Sequence, residues 1–183
     1  MISLKTARKK VAILIDHSNL KHSWEETNHR KEMRKIDYKK LIRCLSGSDK
    51  VLYKVVFLNR DIAGYALCNF FDHSGFETLE KTSKKIMDRK KGMLFKCNMD
   101  VDISIVSMQI IFDRALYPVK PDKFVIVSGD SDFELLGHAI IHYGFDVEFA
   151  FLKTGFSREL RENLQCLELD GFPIWETIKR NQS

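Results

Sequence analysis

Acidic residues stand where the strands of this chain should end. An apolar run, Val11-Ala12-Ile13-Leu14-Ile15, stops at Asp16-His17-Ser18-Asn19, and a second, Phe124-Val125-Ile126-Val127, stops at Ser128-Gly129-Asp130-Ser131-Asp132. Between them, Asn98-Met99-Asp100-Val101-Asp102 opens a long apolar segment of helical character. In an open parallel sheet the carboxyl ends of neighbouring strands share one crevice, and ligands bind there. Two charges about 4 Å apart repel by roughly 4 kcal/mol at an effective dielectric near 20. A divalent cation relieves that repulsion. Hard oxygen ligands suit Mg²⁺ or Mn²⁺, and such sites most often act on phosphate esters. Asp is also a common helix N-cap, so each acid alone has a purely structural explanation. Capping does not require Asp16, Asp100 and Asp130 to sit together on crevice-lining positions.

The elements that must carry these acids alternate strand and helix, the pattern of an α/β fold with a central, mainly parallel sheet flanked by helices. Strands are expected over residues 11–15, 51–58, 76–82, 124–128 and 145–152. The third is an edge strand, because its outward residues are charged, and the fourth is central, because it is apolar on both faces. Asp37 should cap a helix that ends at Gly47, and Asp61 a helix that ends at Gly75. Asn98 should cap a helix in which Val101, Ile105, Met108 and Phe112 form one face. Val106 and Ile110 widen that face, so burial on most sides is expected. A helix over 132–143, a short helix near 157–163 and an extended piece near 166–169 complete the pattern. Residues 81–96 are basic and poorly periodic. One domain over 11–170 follows, with a basic N-terminal extension over 1–10 and a C-terminal tail over 171–183.

Composition narrows the class. A chain of 183 residues with 44% hydrophobic and 30% charged residues is globular rather than disordered. Its apolar runs break too early to span a bilayer, and the short run before Asp16 argues against a signal peptide. A cytoplasmic protein with no membrane partner is the expectation. Cys44, Cys68, Cys97 and Cys166 form no closely spaced pair, which argues against a zinc site or a disulfide framework. The net charge of +5 favours an anionic partner.

Together, the Asp-x-x-Asn after the first strand, the Asp-Val-Asp opening a helix, and Ser-Gly-Asp-Ser-Asp-Phe after a later strand resemble the NYN domain. That family includes the LabA-like proteins and belongs to the PIN-like nuclease superfamily. The resemblance covers nearly the whole chain and implies a single Rossmann-like domain that cleaves RNA with Mg²⁺ or Mn²⁺. It implies that Asp16, Asp100 and Asp130 are metal ligands, and that Asp132 binds a second metal or orients the attacking water. Asn19 would position a metal-bound water or a substrate phosphate, and Ser128 would lie against substrate. Asp102 is about 200° around the helix from Asp100, so the two cannot face the crevice equally, and Asp100 is preferred. Ser131 is a secondary candidate in the same loop. Two positions depart from the family pattern. Cys97-Asn98 replaces a frequent Lys-Gly, and Gln165 stands where many members have an Asp. Loss of that acid could leave one tightly held metal and weak or absent activity, the profile of an RNA-binding or regulatory module. A phosphatase on a similar sheet would want an Asp-x-Asp after the first strand, where this chain has Asp16-His17-Ser18.

The basic stretch just before the Asp100 motif suits an RNA backbone, single-stranded or structured. Lys84, Lys85, Arg89, Lys90 and Lys91 are its expected phosphate contacts, with Lys96 and the more distant Arg158 as secondary candidates. Met93 and Phe95 could stack on bases. A homo-oligomer is compatible with the sequence.

Overall fold

A computed structural model describes residues 8–27, 34–88, 92–155 and 157–177. Six strands form the central sheet in the order β4-β3-β1-β7-β8-β9: β1 (Lys10–Asp16), β3 (Lys50–Asn59), β4 (Glu77–Lys81), β7 (Lys123–Val127), β8 (Asp146–Phe151) and β9 (Cys166–Glu168). Every neighbouring pair is parallel. The chain builds outward from β1 through β3 to β4, then returns to the other side of β1 with β7, β8 and β9. The direction of winding therefore reverses between β1 and β7. That switch point leaves a crevice at the carboxyl edge of the sheet.

Alternation along the strands sends side chains into two helical layers. Ala12, Leu14, Phe124 and Ile126 pack with Ile103, Val106 and Ile110 of α5 (Asp100–Phe112) and with Leu136 and Ile140 of α6 (Glu134–His142). Val11, Ile13, Ile15, Val125 and Val127 face α1 (His17–Glu26), α2 (Tyr38–Ser46) and α4 (Tyr65–His73), where Leu20, Tyr38, Leu41 and Phe71 meet them. The continuous apolar runs of β1 and β7 are explained by helices on both faces.

Local chemistry sets the helix ends. Asp37 accepts from the backbone N–H groups of Lys39 and Lys40, and Gly47 closes α2 at φ 53°. The helix expected after Asp61 is broken instead. Asn59, not Asp61, caps the single turn α3 (Arg60–Ala63), and Gly64 at φ 73° separates it from α4. Glycine tolerates that positive φ, which most residues avoid.

Two further expectations change. The basic stretch is an antiparallel hairpin of β5 (Lys84–Asp88) and β6 (Gly92–Lys96), with Lys84 opposite Lys96. Helix α5 is not buried on most sides: Ile103, Val106, Ile110 and Ile111 are buried, but Val101, Ile105 and Phe112 are more than half exposed. Residues 171–177 pack against the domain, the tail being anchored by Phe172, Ile174 and Trp175. Ile174 is fully buried, and β10 (Trp175–Thr177) pairs with β2 (Arg34–Ile36). The short helix near residue 157 is α7 (Arg158–Asn163). All four cysteines are free.

Candidate active site

Each acid of the crevice is held by the end of its own element. Asp16 closes β1 and caps α1, its Oδ1 accepting the Asn19 N–H at 3.0 Å. Its other oxygen, Oδ2, lies 3.4 Å from the Ser128 hydroxyl at the end of β7. The same hydroxyl accepts the Asp130 N–H at 3.4 Å, so one side chain ties the two strand ends together. Asp130 accepts the Asp132 N–H on Oδ1 at 3.1 Å, capping the 3₁₀ turn Ser131–Phe133. The Asn19 amide crosses the switch point, its Oδ1 accepting from Gly129 N–H at 3.0 Å.

Asp100 begins α5, its N–H held by Asn98 Oδ1 at 2.9 Å. It is close enough to Asp16 to act on its charge, as is Asp130. Burial is the main reason that the Asp16 carboxyl is pushed up to about 6, and the two acids add to it, while the N–H groups of Asn19 and Ser18 oppose it. Asp16 is 5% exposed, and a charge so poorly hydrated calls for a cation. Asp132 is exposed and shares with Asp100 a groove along α5. Asp102 turns elsewhere and forms an ion pair with Lys81 at the end of β4.

These side chains fit a hard divalent ion in chemistry: carboxylate oxygens at the strand ends and a charge that burial alone leaves unfavourable. Among the described residues, no three His, Cys, Asp or Glu side chains are already gathered tightly enough to close on one.

Two residues at the same edge carry roles that the sequence reading did not give them. Asp61 lies two residues beyond the end of β3, in the turn of α3, and its Oδ2 accepts the Ser83 N–H at 2.7 Å. Asp61, Asp102 and Asp16 all act on the Cys97 thiol, which burial pushes up. An acid a few residues after the apolar run ending at Leu58 was the available signal, masked by Asp61 also reading as a cap. Lys81 supplies a cation to the head of α5, although Cys97-Asn98 replaces the family's Lys-Gly. Gln165 donates to Glu148 Oε1 at 3.1 Å, and Glu148 also pairs with Lys123 at the start of β7. Gln165 is thus engaged toward the opposite edge of the sheet.

The substrate-side candidates are spread more widely. Lys84 and Lys85 are exposed on β5, and Lys85 lines a small cleft with Asp61, Ile62 and Ser83. Lys96 lies opposite Lys84 in the hairpin. Arg89, Lys90 and Lys91 lie outside the described residues. Arg158 follows Ser157, whose N–H donates to Gly129 O at 2.9 Å, but its guanidinium pairs with Glu162 at 2.7 Å. Ser131 is half-buried in the loop between Asp130 and Asp132.

Fold and site together define a Rossmann-like α/β domain with acids converging on the switch point of a parallel sheet. The sequence matches the NYN domain over residues 10–168, so the chain belongs to the NYN domain family, a nuclease-type family of PIN-like fold. Its structure is similar to the crystal structure of VPA0982, a protein of unknown function from Vibrio parahaemolyticus RIMD 2210633. The TM-score is 0.67 at 22% identity, over 90% of this chain and 94% of that one, a likeness of fold. Comparison with curated proteins finds no match. Among the described residues, no helix is long and apolar enough to cross a membrane.

Proposed function

We propose that this protein is a Mg²⁺- or Mn²⁺-dependent ribonuclease that hydrolyses phosphodiester bonds at the crevice between β1 and β7. The observation that carries the reading is the Asp16 carboxyl, buried at the switch point with Asp100 and Asp130 close enough to raise its proton affinity. Asp16, Asp100 and Asp130 would hold the ion, with Asp132 beside them on the solvent side. A bound divalent ion supplies charge stabilisation at the phosphate and a more acidic water. Asn19 Nδ2 donates to a phosphate oxygen, held in place by the bond from Gly129 to its Oδ1. Ser128 keeps Asp16 and Asp130 in register across the two strands. Lys84 and Lys85 attract the RNA backbone toward this edge.

A second reading, an RNA-binding module with weak or no catalysis, is favoured by one feature. Gln165, expected to correspond to a family acid, is bonded to Glu148 rather than to the crevice. Incubation of labelled RNA and DNA with Mn²⁺, Mg²⁺ or EDTA separates the two readings. Cleavage of RNA in either metal and none in EDTA supports the nuclease. Tight RNA binding with no cleavage in any metal supports the module.

A further inference from the structure

Directly behind the crevice, on the other side of β1, lies a cleft of about 590 Å³ between α1, α2 and α4. That volume falls within the roughly 300–1,000 Å³ typical of small-molecule sites. His17, Trp24, Tyr38, Leu67 and Phe70 supply its aromatic and aliphatic walls. His17, the residue after Asp16, is 2% exposed, and its Nδ1 has no hydrogen-bond partner among the described residues. A buried ring nitrogen without a partner is unfavourable unless a ligand completes it. The ring is fixed by its neighbours, tilted against Tyr38 at 6.2 Å and edge-on to Phe71 at 6.5 Å.

The charges around the cleft indicate what it would admit. Lys21, Lys35 and Lys39 line it, and so do Asp37 and Glu176. Both acids are already matched, Asp37 by Lys40 and Glu176 by Lys35. Lys39 has no acidic partner among the described residues, so an anionic group at the rim would be attracted. An aromatic slot with one unmet polar atom and a cationic rim matches a nucleobase carrying its phosphate. Asp16 ends β1 beside Ser128 and the crevice, while His17, the first residue of α1, lines this cleft. A single strand crossing the carboxyl edge of the sheet could therefore present a phosphate to one and an adjacent base to the other.

We infer that this cleft is a base-binding subsite for single-stranded RNA, with the base held between the aromatic walls and hydrogen-bonded to His17. The inference rests on the nuclease reading for its choice of ligand, but it is tested without catalysis. Wild-type protein in EDTA is titrated with a single-stranded oligoribonucleotide and with a fully abasic ribose-phosphate oligomer of the same length. Anisotropy reads affinity, and tryptophan emission reads stacking near Trp24.

Base-bearing RNA should quench the emission and bind about 5- to 150-fold more tightly than the abasic oligomer. Two variants should remove most of that difference. His17→Phe keeps the ring and deletes its nitrogens, and Ala66→Trp fills the cleft from an exposed helix position. Binding of the abasic oligomer should change little in either. Equal affinity of the wild type for both oligomers, or base-dependent binding undiminished in both variants, would overturn the inference. Cleavage in Mn²⁺ without base-dependent binding would remove the cleft and leave the nuclease. Base-dependent binding without cleavage would do the reverse.

Discussion

The Ser128 hydroxyl reaches Asp16 Oδ2 across 3.4 Å while it also accepts the Asp130 N–H, joining acids that lie far apart in sequence. Ser128→Ala deletes the bridge without altering the backbone. The expected result is a folded protein with metal affinity reduced a few-fold, since a hydrogen bond as long as the 3.4 Å one to the Asp16 carboxylate contributes about 0.5–1.5 kcal/mol. Calorimetric titration with Mn²⁺ checks this, and an unchanged dissociation constant would make the serine a bystander.

Asp16 and His17 carry opposite pH dependences into one window. Burial raises the Asp16 carboxyl from 3.8 to about 6, so its contribution to stability is present below its unfolded value and lost as pH rises through about 6. Burial lowers His17 from 6.5 to about 4, with Lys21 acting in the same direction, so its contribution is present above 6.5 and lost as pH falls toward 4. Between pH 4 and 6 the two slopes oppose each other. In EDTA, His17→Phe should therefore lose stability relative to wild type as pH rises across that window, and Asp16→Asn should gain it. Guanidinium melts at pH 4.5 and 6.5 read the sign. Equal changes in wild type and both variants would mean that neither group titrates as described.

The same raised carboxyl makes metal binding proton-linked. A divalent ion requires Asp16 as a carboxylate, so the rise in melting temperature on adding Mn²⁺ should be larger at pH 7 than at pH 5. At a hundred times the dissociation constant, binding contributes about 2.7 kcal/mol. A shift independent of pH would place the ion elsewhere.

Much of the fold and of the candidate site's placement was legible in the chain, for physical reasons that differ by element. Val11-Ala12-Ile13-Leu14-Ile15 and Phe124-Val125-Ile126-Val127 read as central strands because helices cover both faces, and an acid after each stood out against an apolar background. Asp37 and Gly47 marked their helix ends by side-chain acceptance and positive φ. The β5–β6 hairpin was hidden because lysines obscure any alternation in a strand pair lying outside the central sheet. Helix α5 misled because its apolar residues are spread around it without one dominant face, yet Val101, Ile105 and Phe112 stay in solvent. Pairing of β2 with β10 joins segments far apart in sequence, and no local pattern announces it. The cleft beside His17 escaped for the same reason, since its walls come from separate elements.

Gly155 sits against the helix that carries Asn19. A Cβ built there would overlap the Ser23 side chain, and Ser23 is buried. Thr154 holds the same turn by donating its hydroxyl to Ser23 O at 2.6 Å. Gly155→Ala should cost about 1–3 kcal/mol through overpacking, read as a lower melting temperature. Wild-type stability would show that α1 shifts freely.

On the hairpin, Lys84→Ala with Lys85→Ala should weaken RNA binding for all sequences alike. Each lost phosphate contact should flatten the dependence of log affinity on log salt by about 0.7 for a single strand. Cleavage at saturating RNA should fall much less. An unchanged salt slope would take both lysines off the RNA path.

Single-turnover cleavage of labelled RNA at saturating Mn²⁺, comparing wild type with Asp16→Asn, Asp100→Asn and Asp130→Asn and with folding checked by circular dichroism, bears most directly on the crevice. Wild type should cleave in Mn²⁺ and not in EDTA, and each folded variant should lose most of that rate. Wild-type rates in all three variants would contradict a catalytic site between β1 and β7.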